Sequence, residues 1–306
     1  MHLAVDGGGV AAVGHVLGSH LYGVAPTAPV DRRRELGRAL DGLRWYHLPV
    51  LARDVAAALA QPVRTFAAAR RTRAFPADAS SGSSWRHIVL GPEELDRLKL
   101  RCREQGATVN DALVAGLARV SAGRSHRGPV AVLYTMDLRR FGSSARLTAT
   151  NTSAILTAIV PRRAARDLGT AVAAVASVTK QHQKSLVGPA YLVGPNLLAA
   201  GAPHGVMRRV IPHLHPFLVE LPLSRGLMVT NVGRIDEGLR AFGEDIEDLR
   251  VIGPIIEGID VPAVVAFGFR GRLHLELFAA PGLSPVALEE LEEELRAALE
   301  LPSARH

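Results

Sequence analysis

Cysteine is nearly absent: Cys102 is the single one in 306 residues. No internal disulfide can form, and the chain suits a reducing compartment. Lysine is also scarce, since only Lys99, Lys180 and Lys184 among 36 basic residues are lysines. That skew resembles GC-rich codon usage more than a phosphate-gripping surface, and no nucleic-acid partner is expected. No cationic stretch leads into an apolar run after Met1, so an export leader is not expected and the cytoplasm is the expected location. Long apolar runs are missing too. The longest charge-free stretch, Ser185 to Met207, is interrupted by Pro189, Pro195 and Pro203. It reads as a buried loop-and-helix segment or a lipophilic wall, and membrane contact is not expected.

What is present is globular. The chain is 48% hydrophobic and 21% charged, too apolar for a disordered chain, and its 29 glycines have no three-residue period. At roughly 100–200 residues per domain it makes one large domain or two small ones. The net charge of +7 is uneven, with +9 in residues 1–153 and −2 in residues 154–306. A basic first half can attract a phosphate-bearing coenzyme or carrier.

The pattern along the chain predicts mixed α/β structure. Leu3–Val5 reads as a strand tail, Asp6–Gly9 as a turn and Val10–Tyr22 as a helix. Thr27 to Asp54, rich in proline and arginine, reads as loop before a helix at Val55–Arg71. The small, polar stretch 76–84 reads as a linker. It separates residues 1–75 from a larger unit, 85–306. Beyond it the expected strands are Trp85–Leu90, Pro129–Met136, Ala154–Val160, Leu227–Val232, Ala263–Phe269 and Arg272–Ala279. Helices are expected from Gly91 to Gln105, from Thr108, over 164–184, and from Ser284 to Leu299. Arg272–Ala279 alternates Leu273, Leu275 and Leu277 with His274 and Glu276, which predicts one wet face.

The local signal richest in chemistry is His2-Leu3-Ala4-Val5-Asp6-Gly7, an HxxxDG string. Histidine is the side chain best poised to take a proton near neutral pH. An acid four residues later can anchor the turn that aims it, and Gly7 permits close backbone approach. Two other readings share these letters. Gly7-Gly8-Gly9-Val10-Ala11-Ala12 is a loose GxGxxA fingerprint, but no acid stands about twenty residues further on. The Asp6-Gly7-Gly8-Gly9 turn is similar to a patatin-like oxyanion loop, but no GxSxG elbow occurs in the chain.

The order of later elements adds to the first reading. Gly106-Ala107-Thr108-Val109-Asn110-Asp111-Ala112-Leu113, Asp137-Leu138-Arg139-Arg140 with Asn151, Met228-Val229-Thr230-Asn231-Val232-Gly233 and Arg270–Leu275 follow HxxxDG in sequence. Together they resemble the condensation-domain and chloramphenicol-acetyltransferase-like acyltransferase superfamily, which includes polyketide-associated acyltransferases, alcohol acetyltransferases and wax ester synthases. The resemblance implies an α/β two-layer sandwich, mainly the C-terminal lobe with a remnant of the N-terminal one. It implies transfer of an acyl group from a thioester, on coenzyme A or a phosphopantetheinyl carrier, to an alcohol or amine. His2 would be the general base, Asp6 the structural acid, and Gly7, Asn151, Thr230 and Asn231 the substrate contacts. Secondary or lipid metabolism would be the setting, with no metal or redox cofactor. Met1 stands where the family's first motif histidine would be, and its DFGWG string is missing. Three expectations stay open: a fragment of a longer protein, a split protein whose channel a carrier protein or second chain completes, or a homologue without catalysis. A homo-oligomer is a further expected partner. The alternative from another class is a non-catalytic half-domain that binds such a partner.

Three further features carry less. His213-Leu214-His215 lies between Pro212 and Pro216 with no third ligand evident, Cys102 sits among Arg101 and Arg103 in a helix, and Arg32–Arg34 and Arg70–Arg71 are basic runs. Their ordinary readings are loop, helix residue and solvated surface.

Overall fold

The computed structural model describes residues 17, 21, 30–31, 45–78, 80–141, 147–148, 153–191, 226–239, 242, 246, 249–251 and 262–302. Its centre is a six-stranded mixed sheet. The strands are β1 (Ser84–Leu90), β2 (Val130–Asp137), β3 (Ser153–Val160), β4 (Leu227–Arg234), β5 (Ala263–Phe269) and β6 (Arg272–Ala279). They lie in the order β1-β6-β5-β4-β2-β3. β2, β4 and β5 run parallel, and the remaining pairs are antiparallel.

One sheet face is covered by helices α2 (Pro92–Glu104), α3 (Val109–Arg124), α4 (Leu168–Lys184) and α5 (Pro285–Ala298). Its side chains, among them Val132, Leu156, Ala266, Leu275 and Leu277, are buried. The helix starts are chemically marked. Gly91 N donates to Glu94 Oε2 at 2.9 Å, Asp111 N to Thr108 Oγ1 at 3.2 Å, and Val286 N to Ser284 Oγ at 3.3 Å. Gly116 lets α3 and α5 approach, because a Cβ there would lie 2.8 Å from Leu299 Cδ2.

The opposite face is covered in two places. Helix α1 (Leu48–Ala69) crosses β2 and β3. Gln61 Nε2 donates to Thr157 Oγ1 at 3.2 Å, and the Thr65 and Thr157 hydroxyls lie 2.7 Å apart. At the other edge Ile235, Leu239, Ile246, Leu249 and Val251 pack around Phe267 and Phe269.

The mixed α/β sandwich anticipated from the sequence is therefore the observed class, with corrections in detail. α1 begins at Leu48, seven residues before the expected Val55, because Pro49 occupies its first turn, where a missing N–H costs nothing. The expected 164–184 helix is a short turn, Ala164–Arg166, followed by α4. The break falls at Asp167, whose carboxylate caps Thr170 N at 2.9 Å. The expected wet face of β6 is dry, as His274 and Glu276 are 7% and 1% exposed. Within 76–84, Ala77–Asp78 pairs with Gly282–Leu283. Among the described residues no helix is long and apolar enough to cross a membrane.

Candidate functional site

Strand register brings the chemistry together on the face opposite the four helices. Thr230 pairs with Val265, Val265 with Glu276 and Glu276 with His87, which puts all four in one row across the sheet. Side chains in such a row point to the same side, so the Thr230 hydroxyl and the Glu276 carboxylate share a face, two strand spacings or roughly 10 Å apart.

Glu276 is gripped by Arg250, with Nε to Oε1 at 2.6 Å and Nη2 to Oε2 at 3.1 Å. That bidentate pairing satisfies both oxygens of a carboxylate withdrawn from water. His87 Nε2 stands 3.7 Å from Glu276 Oε1 and 3.0 Å from His274 Nδ1. The His274 ring is stacked between Phe267, at 4.8 Å between centroids, and His87, at 5.2 Å. The stacking and the contact between the ring nitrogens fix both imidazoles. His87 forms the partly open edge, its side chain 16% exposed. The sequence signal for this cluster was the alternation of β6. Its partners lie on other strands and on a segment 26 residues earlier, so alternation alone reads as solvent exposure.

Thr230 and Asn231 are both half-buried, but as strand neighbours they address opposite faces. Asn231 Oδ1 accepts from Gly233 N at 2.9 Å, across a bulge at Asn231/Gly233 where Gly233 adopts φ +81°. The side chain thus shapes the strand end, and its amide nitrogen makes no hydrogen bond among the described residues. At the neighbouring β2 end Asp137 Oδ1 accepts from Arg139 N at 2.9 Å and is 3.1 Å from Arg139 Nη1. The candidates His2, Asp6, Gly7 and Asn151 lie outside the described residues, as do His213, His215 and Arg32–Arg34.

Other buried polar groups lie in the helix layer, away from this face. Asp111 accepts from Thr179 Oγ1 at 2.6 Å, and Tyr134 Oη is 2.6 Å from His182 Nδ1. Burial, then the nearby Asp111, raises the Tyr134 phenol, and burial lowers the His182 imidazole. Cys102 is 2% exposed, and burial, then Asp111, pushes its thiol up to about 11, which makes it inert. Among the described residues no group of three His, Cys, Asp or Glu side chains could hold a metal ion.

A mixed sheet whose parallel strands end beside a bulged Thr-Asn pair, with helices stacked on one face, has the fold of the condensation-domain and chloramphenicol-acetyltransferase-like proteins. Solved structures carry that likeness. The epimerization domain from the third module of tyrocidine synthetase B superposes with a TM-score of 0.61 at 14% identity, covering 97% of this chain and 66% of that one. The trichothecene 15-O-acetyltransferase from Fusarium sporotrichioides gives 0.59 at 11% identity, over 85% and 53%. The first condensation domain of the CDA synthetase gives 0.55 at 17% identity, over 98% and 61%. The chain thus spans 53–66% of the length of these three structures. No family model matches the sequence, and no curated protein matches it.

Proposed function

We propose that the chain serves acyl transfer from a thioester, on coenzyme A or a carrier protein, to a hydroxyl or amine. The observation that carries this reading is the superposition of nearly the whole chain on condensation and epimerization domains, and of 85% of it on an acetyltransferase. The HxxxDG string adds the base: His2 removes the acceptor's proton while Asp6 holds the turn. The attacking oxygen or nitrogen adds to the thioester carbonyl, and the thiolate departs with the proton passed on by the imidazole. The Thr230 hydroxyl lines the donor's path on the open sheet face, and the Asn231 amide steadies the strand end from the other side. Glu276, His274 and His87 hold that face rigid, which a reaction geometry fixed within fractions of an ångström requires.

The test is thiol release from acyl-coenzyme A and acyl-carrier donors in the presence of alcohol and amine acceptors. Acceptor-dependent release that falls roughly 100-fold or more in His2→Ala is expected from loss of a general base. Equal rates in the variant remove His2 from the role. Absence of transfer with every donor removes the catalytic reading.

A second reading has its own support. The outer side of α1 carries Leu48, Leu59 and Val63, which are 61%, 44% and 70% exposed, next to Tyr46 at 58%. An exposed apolar stripe of this kind suits a partner surface, and a non-catalytic docking half-domain would use it. Concentration-dependent mass, abolished by Val63→Lys, would favour that role.

A further inference from the structure

At the end of the sheet where β2 starts and β3 stops lies a cavity of about 610 Å³. Four separate segments build it: Arg73 beyond α1, Arg119 to His126 at the end of α3, Arg162 to Arg166 after β3, and Glu294 to Ala298 of α5. Among the described lining residues, five arginines and one histidine stand against a single carboxylate, Glu294. The floor is apolar, from Val120, Ala122, Ala165, Ala297 and Ala298.

The arginines are committed to different degrees. Arg124 is 5% exposed, lies over the Phe75 ring at 3.7 Å and pairs with Glu290 and with Glu294, the latter at 2.9 Å. Its Nη1 is buried with no hydrogen-bond partner among the described residues. Arg119 spans the Ala298 carbonyl and Glu300. Among the described residues Arg162 bonds through Nε alone, donating to Ala122 O at 3.3 Å, and its terminal nitrogens make no hydrogen bond. Arg73 and Arg166 are exposed and make no side-chain ion pair among the described residues. Arg73 is nonetheless pinned at the rim, because its backbone N donates to Arg124 O at 2.9 Å and Thr72 bridges Ser125. Glu290, Glu294 and Glu300 pair with Arg124 and Arg119, and Asp167 acts on Arg119, so the local balance is a small net positive charge. Arg73, Arg162 and Arg166 are the guanidiniums that hold no side-chain ion pair among the described residues. The carbonyls of Ala122 and Ala298, which would repel an anion at these helix ends, are covered by guanidiniums.

We infer that this cavity binds an organic phosphate of nucleotide size, its phosphates held by Arg73, Arg162 and Arg166 and its apolar portion on the alanine floor. Planar guanidiniums suit phosphate oxygens, and the volume suits a mononucleotide rather than a bare ion. The site stands apart from the Thr230 face and does not depend on the acyl-transfer reading.

The experiment is calorimetric titration of the whole chain at low salt with ADP, pyrophosphate and adenosine. ADP should bind most tightly, pyrophosphate more weakly and adenosine not measurably, with affinity falling as salt rises. The double variant Arg73→Glu/Arg166→Glu, at two exposed positions, should weaken ADP roughly 100-fold with the melting temperature unchanged. Gly123 lines the cavity, and a Cβ there meets open space, so Gly123→Glu supplies an independent block. Absence of ADP and pyrophosphate binding, adenosine binding as tight as ADP, or full affinity in both variants would overturn the site. Displacement of ADP by an equal nucleotide concentration of single-stranded DNA would overturn the small-molecule assignment.

Discussion

The two faces of the central sheet are stabilised by different chemistry. Under the four helices the contacts are mainly apolar, with Asp111–Thr179 and Tyr134–His182 as polar pairs among them: Leu156, Leu275, Leu288 and Leu291 are at most 1% exposed and belong to one apolar cluster. On the opposite face the buried groups include a carboxylate, the His274 imidazole and a threonine pair, each in contact with a partner on another element. The apolar face tolerates error, since a misplaced methyl loses only contact. The polar face does not, because an unpaired buried charge carries its whole desolvation cost.

The sharpest way to break that contrast is Arg250→Ala, which strands Glu276. About 3–5 kcal/mol of stability should be lost, read from the urea midpoint. Adding Glu276→Leu to Arg250→Met should recover most of it, and failure to recover would show that the pair does more than balance charge. On the apolar face Leu275→Ala should cost about 2–5 kcal/mol, with no second-site charge change able to restore it. The Thr108→Ala cap loss should cost about 1 kcal/mol and leave both faces intact.

Acid sharpens the comparison within the helix layer. Burial lowers the His182 imidazole in the fold, so the unfolded chain binds its proton first. Its contribution is therefore complete above the usual histidine value of 6.5 and is lost as the pH falls below it. His182→Gln should flatten that part of the stability profile. Smallest of all, Val63→Lys on the exposed side of α1 should move stability by no more than about 0.5 kcal/mol. Any larger loss would mean that this surface is covered.

The apolar face was readable in the sequence because its signals are local. The alternation of β6, the Thr108 and Ser284 caps, and Pro92 in the first turn of α2 each act within a few residues. The start of α1 was misplaced because arginines and prolines around Pro49 resemble a loop, although proline is at home in a first helical turn. The polar face was hidden. His274 and Glu276 sit where solvent-facing residues sit in an alternating strand, and contacts from other elements, among them Arg250, His87 and the ring of Phe267, make that position dry. The arginine cavity was hidden for the same reason, being assembled from four segments. Thr230 and Asn231 were legible as a strand end, but not as residues of opposite faces with a bulge fixed by Asn231.

The most direct measurement is hydrogen exchange on the whole chain with and without a non-hydrolysable acyl-thioester analogue. If the Thr230 face receives the donor, protection should rise in Leu227–Arg234 and in the strands beside it, while the amides around the arginine cavity at the end of α3 stay unchanged. Protection confined to the helix layer, with Leu227–Arg234 unaffected, would contradict it.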